Sequence, residues 1–246
     1  MRILISNDDG IFAPGIAALV RAFSDAGHEV IVSAPDSQRS AASHSLSIGK
    51  PLRVKETHMD GAARAYAVSG TPADCVKLAL HVLCPDAEAV ISGVNLGWNI
   101  GTDVLYSGTV AAAMEGALLG RPAVAVSLAF GGEDAYPQAA ALAAKAFGDI
   151  CRKPLPPYTV LNINYPARDS ALGLHAAPLK VLRYLEDYVP GLDEAGEKTY
   201  TLSGCLDETM EKLDDDYTWL TRGYATATVL SYNMTDYAAT NALSDE

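Results

Sequence analysis

Short apolar runs alternate with amphipathic stretches along this chain. Arg2-Ile3-Leu4-Ile5 is apolar and β-branched, and it stops in the turn chemistry of Asn7-Asp8-Asp9-Gly10, so it predicts a first, buried strand. From Ile16 to Ala26 the apolar positions fall at Ile16, Leu19, Val20 and Phe23, the spacing of one helix face, and Gly27 closes that helix. Glu29 to Pro35 reads as a second strand. The three together form a β-α-β unit, which predicts a parallel pair with a right-handed crossover. Its first loop lacks the G-x-G-x-x-G pattern, so a dinucleotide site is not indicated.

A long polar loop runs from Asp36 to Gly49, and loops of that length inside a domain are usually functional. Pro51 to Val68 reads as weak, exposed strands, with Arg53-Val54 and Ala65 to Val68 as the candidates. Thr71, Pro72 and Asp74 supply an N-cap, a first-turn proline and a capping-box partner, so a helix is predicted from there to about Leu83, where Cys84-Pro85-Asp86 breaks it. Ala89 to Val94 is a third core strand, followed by the glycine- and asparagine-rich loop Asn95 to Gly101. Ser107-Gly108-Thr109 leads into an alanine-rich helix over Val110 to Gly116. Ala123 to Leu128 and Thr159 to Tyr165 are the fourth and fifth strands, with a helix from Tyr136 to about Ile150 between them.

Strand and helix alternate in this way up to about residue 180, which predicts an α/β three-layer domain over 1–180 with a mostly parallel sheet. Beyond it the chain is rich in Asp, Glu and Tyr, with a strand-like piece at Ala225 to Leu230 and a polar tail from Asp236. Residues 181–246 are expected to form hairpins and a terminal arm, not a second globular domain.

Composition narrows the function classes. The 246 residues are 49% apolar, as expected of a chain that buries a sizeable core. The net charge of −12 argues against binding a nucleic-acid polymer through its phosphates, but not against a small phosphorylated substrate held by a metal. No apolar run approaches the length of a membrane span, and the apolar stretch before Asn7 is too short for a secretory signal, so a cytoplasmic location is expected. The four cysteines form no C-x-x-C pair, which favours reduced thiols over disulfides or a zinc site.

The candidate chemistry sits at the carboxyl ends of the strands. Asp8 and Asp9 are adjacent at the end of the first strand, and two carboxylates there repel by about 4 kcal/mol at an effective dielectric of ~20. A bound cation or a retained proton offsets that repulsion. The plainer alternative is a polar turn. If the strands are parallel, Asp8 and Asp9, the Ser40 region and Asn95 converge on one edge. All their donors are oxygens, which suit Mg²⁺, Mn²⁺ or Ca²⁺. Ser107-Gly108-Thr109 offers hydroxyls, free N–H groups and a helix start for an anion, although serine and threonine there also serve as ordinary caps. His44, Arg39, Asn99, Asp103, Trp98 and Tyr106 lie in the same loops; Asn99 and Asp103 suit substrate contact or turn formation equally.

These residues carry a resemblance to the SurE family, stationary-phase survival proteins that are 5′/3′-nucleotidases. The matching segments are Arg2 to Gly10 with Ala13-Pro14-Gly15, Ala34-Pro35-Asp36 with Arg39-Ser40 and Ser43 to Leu46, Gly70 to Cys75, Ser92 to Asn95 running on through Gly97, Asn99 and Gly101, and Asp103 to Gly116. Leu161 to Pro166 extends the match, and the last 65 residues match loosely. The resemblance implies a Rossmann-like fold and divalent-metal-dependent hydrolysis of nucleoside 5′- and 3′-monophosphates. It implies one metal per subunit, Mg²⁺ or Mn²⁺, on Asp8, Asp9, Ser40 and Asn95. Ser107, Gly108 and Thr109 would line the phosphate position with Asn99 nearby. It also implies dimers or tetramers built with a hairpin and a C-terminal arm. Two departures stand out: Ala41 replaces the family's usual glycine after Arg39-Ser40, and Thr228-Val229-Leu230 replaces a Thr-Pro-Leu.

The expected mechanism is attack by a metal-activated water, with Asp8 or Asp9 accepting or orienting its proton. A phosphoaspartyl route is the alternative. A haloacid-dehalogenase-like phosphatase would need D-x-D, and a receiver domain an aspartate where Asn95 stands; neither pattern is present. A nucleotide-binding module without turnover stays open at this level, as does a phosphatase for other esters or short polyphosphates.

Overall fold

β1 (Arg2–Ser6) is completely buried after its first residue and is the pivot of the sheet. It pairs in parallel on one side with β2 (Glu29–Pro35), which is reached through α1 (Pro14–Asp25). β3 (Val54–Thr57) and β4 (Arg64–Val68) follow, then α2 (Pro72–Leu78), prolonged by a wider π turn over Ala79–Leu83. β5 (Ala89–Leu96) pairs with the other side of β1. After it come α3 (Gly108–Leu118), β6 (Ala123–Leu128), α4 (Tyr136–Arg152) and β7 (Thr159–Tyr165). β8 (Leu174–Ala176), the hairpin β9 (Tyr184–Leu192) and β10 (Lys198–Leu206), α5 (Asp216–Thr221), β11 (Ala225–Ser231) and α6 (Tyr237–Ala242) complete the chain. The computed structural model describes residues 1–207 and 209–243; Ser244 to Glu246, part of the predicted polar tail, lie outside the described residues.

Among the described residues, nine strands form one sheet in the order β3-β4-β2-β1-β5-β6-β7-β11-β8. The six from β4 to β7 in that order are parallel; β3 runs against β4 and β11 against β7, while β8 at the edge is parallel to β11. The expected mostly parallel α/β sheet is therefore the one found. The two-residue period of β1 sorts the layers: Ile3 and Ile5 pack with α1 and α4, while Leu4 packs with Val76 of α2 and Ala112 of α3.

Two expectations need correction. Ala65 to Val68 is buried, not exposed, because β4 lies between β2 and β3 with α2 over one face. The chain also does not divide cleanly at 180. β11 returns from the C-terminal region to pair with β7 over Thr226 to Ser231, so it is part of the main sheet. The hairpin β9–β10 does stand apart as its own two-stranded sheet. Its cross-strand pairs place Tyr188, Leu192, Tyr200 and Leu202 on one face, all exposed. The four cysteines are free thiols, and no helix among the described residues is long and apolar enough to cross a membrane.

Candidate active site

Because β1 pairs with β2 on one side and β5 on the other, the crossovers leave in opposite directions and open a crevice at its carboxyl end. The buried run Ile3-Leu4-Ile5 delivers Asn7 to Gly10 to that crevice. Asn7 Nδ2 donates to Gly10 O at 2.9 Å and turns the chain, so Asp8 and Asp9 face a cleft of about 590 Å³. Asp8 is 7% exposed. Burial, and then the neighbouring charge of Asp9, push its pKa up to about 6, against the pull of a bond from Thr109 Oγ1. Burial raises Asp9 as well; Leu96 N–H and Gln38 Nε2 reach its two oxygens at only 3.4 Å. Among the described residues neither carboxylate is paired with a Lys, Arg or His.

Ser40, Asn95, Asn99 and Ser107 line the same cleft as the two aspartates. Asn95 donates Nδ2 to Gly97 O at 2.8 Å, and none of the described residues donates to its Oδ1. Asn99 is more committed: its Nδ2 donates to Ser127 Oγ at 2.8 Å, and its backbone is held on both sides by Asn164. Ser107 is the N-cap of α3, its Oγ accepting from Val110 N–H at 3.0 Å, which leaves the hydroxyl hydrogen for a ligand. Thr109 is fully buried behind Asp8 and spends its hydroxyl on that carboxylate. Gly108 packs so closely that a Cβ there would lie 2.8 Å from Asp8 Cβ. Asp8 and the N-terminus of α3 are thus in direct contact.

Of the neighbouring candidates, Trp98, Asp103 and Tyr106 line the same cleft, whereas Arg39 and His44 do not. Arg39 pairs with Asp36 at 3.2 Å on the loop itself. His44 points to Glu115. Trp98, half-buried in the cleft wall, donates Nε1 to Tyr165 O at 2.7 Å and packs against the cluster of Ile100, Leu182 and Leu220. Asp103 accepts from Tyr184 Oη of the hairpin base. Tyr106 and Phe130 stay exposed on the rim of the cleft.

The family described as "Survival protein SurE" matches this chain over residues 3–185. The chain belongs to the SurE family. It is 46% identical to the 5′-nucleotidase SurE of Solidesulfovibrio magneticus, over 99% of this chain and 96% of that protein. It is 43% identical to the 5′-nucleotidase SurE of Desulforudis audaxviator, with the same coverage of each chain. The crystal structure of the SurE protein from Aquifex aeolicus superimposes with a TM-score of 0.85 at 32% identity, over 100% of this chain and 99% of that one.

Within this SurE-family fold, several residues that set the site's shape were not assigned roles from sequence. Asn162 and Asn164 of β7 both donate to Asn99 O, at 2.8 and 3.0 Å. Asp216 of α5 accepts from Gly101 N–H at 2.8 Å, 115 residues away. Together they rigidify the loop that carries Asn95. The signal for the first two was legible: Asn162-x-Asn164 puts two amides on one face of an otherwise apolar strand, and buried amides demand partners. Gln38, Glu133 and Tyr136 also line the cleft. A second cavity, of about 520 Å³, lies at the opposite end of the sheet among Ala117, Arg121, Leu155 and Tyr158, and brings no carboxylate or helix start together.

Proposed function

We propose that this protein is a phosphatase for nucleoside 5′- and 3′-monophosphates that depends on one divalent cation, Mg²⁺ or Mn²⁺, and releases nucleoside and phosphate. The observation that carries the reading is the pair of adjacent, sheltered carboxylates with no cationic partner among the described residues, Asp8 packed against the start of α3. Asp8, Asp9, Ser40 and Asn95 would hold the cation. They fit it: Asp8 is costly in its ionised form, Asn95 Oδ1 is free of donors, and every donor is a hard oxygen. Among the described residues no three His, Cys, Asp or Glu side chains gather to hold a metal, so the fit rests on two carboxylates with the Ser40 hydroxyl and the Asn95 carbonyl.

When bound, the cation supplies Lewis acidity toward a phosphoryl oxygen and a coordinated water of lowered pKa. The protein supplies the rest. Thr109 holds the Asp8 carboxylate in one orientation, and the closeness of Gly108 lets that carboxylate meet the helix start. The Ser107 hydroxyl and the Gly108 N–H, which has no partner among the described residues, would face the equatorial oxygens, where charge develops. Asp9, the more solvated carboxylate, is the acceptor for the attacking water's proton. Asn99 acts in the wall of the cleft, keeping the loop in place. The exposed rings of Tyr106 and Phe130 at the rim suit a base over a sugar.

We also infer a homodimer or homotetramer. A lone hairpin with an exposed apolar face of Tyr188, Leu192, Tyr200 and Leu202 is poorly stable by itself and gains most by packing on another copy. The free thiols accord with a cytoplasmic location.

The test is phosphate release from 5′-AMP and 3′-AMP, in EDTA and after addition of Mg²⁺ or Mn²⁺, with Asp8→Asn as the control. Metal-restored release by the natural protein alone is the expected result. No release with any metal from a folded sample would move the reading to another phosphate ester or to nucleotide binding without turnover.

A further inference from the structure

One buried charge takes no part in the chemistry above. Glu115, midway along α3, is 4% exposed. Its Oε1 accepts from Lys77 Nζ of α2 at 2.6 Å, and its Oε2 pairs with His44 Nε2 at 2.9 Å. Burial pushes this carboxyl up, but the bonds from His44 and Lys77 outweigh it and hold the pKa below the ordinary value.

His44 belongs to the loop that brings Ser40 to the cleft. Between the two, Ala41 and Ser43 take left-handed backbone conformations, with φ of 53° and 51°. Side-chain-bearing residues stay there only when the chain on both sides is pinned. Ahead of Ser40, Arg39 N–H donates to Asp8 O at 2.7 Å. After it, Ser43 N–H donates to Tyr106 O at 3.1 Å, and His44 meets Glu115. Further along, Thr71 Oγ1 donates to Ser45 O at 2.7 Å. Glu115 differs from the other anchors in being a buried charge on α3, about two turns beyond Gly108. One rigid helix therefore presents the anion end of the cleft and also fixes the loop on its other side.

We propose that Glu115, acting through His44, is a positioning residue that holds the Ser40 loop in register with Asp8 and Asp9 and so sets how tightly the cleft holds a divalent cation. This rests on the metal-dependent reading of the cleft. His44 itself lies on the loop surface and Glu115 is walled off by α2, so neither touches the reacting atoms.

The experiment is calorimetric titration of the full-length, metal-free protein with Mn²⁺, beside hydrogen exchange over residues 36–50 without metal. His44→Ala and Glu115→Met are each expected to weaken Mn²⁺ binding about tenfold, the scale for a group that orients a ligand. Their double variant should be no weaker than the worse single one, since both remove one contact. Glu115→Gln keeps an acceptor for His44 and should recover most of the affinity. Lys77→Met removes the other partner of Glu115 but touches no part of the loop, and should leave Mn²⁺ affinity within about twofold. Exchange over 36–50 should rise in His44→Ala and Glu115→Met and not in Lys77→Met. Native affinity in a folded His44→Ala, its fold checked by thermal melting, overturns the proposal. So does equal weakening by Lys77→Met, which would mean that Glu115 only clamps α2 to α3. A natural protein that binds no Mn²⁺ overturns the metal reading itself, and this proposal with it.

Discussion

Asp8 bears a cost that its own fold imposes. Its pKa rises from 3.8 to about 6, so above that pH the folded, metal-free protein carries an ionised carboxylate that the unfolded chain would hold more easily. At about 1.4 kcal/mol per unit this is a penalty on the order of 3 kcal/mol, full above pH ~6 and fading as the pH falls toward ~4. Asp8→Asn is therefore expected to raise the Tm of the metal-free protein at about pH 8, to lose that gain near pH ~4 and to abolish phosphate release. Melting curves in EDTA at the two pH values check it; an Asn variant that melts lower at both would refute the strain. Gly108 is constrained by the same carboxylate. Gly108→Ala puts a methyl 2.8 Å from Asp8 Cβ and 3.1 Å from Pro72 Cγ. A loss of roughly 1–3 kcal/mol and a larger fall in kcat than in stability is expected, read by denaturant titration beside phosphate release. Ala41, where the family resemblance led a glycine to be expected, takes the left-handed backbone that glycine favours, at φ 53°.

At the scale of elements, α3 serves the site at both ends of its first two turns. Ser107 caps it and faces the cleft, so Ser107→Ala has two separable effects. Loss of the cap costs about 1 kcal/mol, and loss of the hydroxyl donor should raise KM for 5′-AMP more than it lowers kcat. Thermal melts and steady-state kinetics on the same preparation distinguish them; a lowered Tm with unchanged kinetics would leave Ser107 as a cap and nothing more. The loop from Asn95 to Gly101 owes its rigidity to other elements, with Asn162 and Asn164 of β7 below it and Asp216 of α5 behind it. Its glycines supply the turns and its neighbours remove the freedom.

For the molecule as a whole, the hairpin β9–β10 is where assembly should be decided. Tyr188 and Leu202 face each other across it on the apolar face. Tyr188→Lys combined with Leu202→Lys should reduce the mass in solution to that of a 25.9 kDa monomer, measured by light scattering. An unchanged mass would place the interface elsewhere. The hairpin base also reaches the cleft, since Tyr184 Oη donates to Asp103, so activity and assembly should be measured together.

Local chemistry determined much of this protein directly from its sequence. β2 was expected over Glu29 to Pro35 and lies there, and the Thr71–Asp74 capping box opens α2. Apolar period, caps and glycine stops act over a few residues, so they can be read one segment at a time. The approach of Asp8, Asp9, Ser40 and Asn95 to one edge also followed, because parallel strands send their loops to the same side. Only the tertiary structure decided what those residues touch. Ala65 to Val68 is buried because β2 and β3 happen to flank it, and β11 rejoins the sheet through pairing with a strand about sixty residues earlier. Thr109 spends its hydroxyl on Asp8, and Glu115 reaches back to His44. Such partners lie tens of residues apart in the chain, and nothing short of the folded packing chooses among the polar groups that a buried carboxylate or amide would accept.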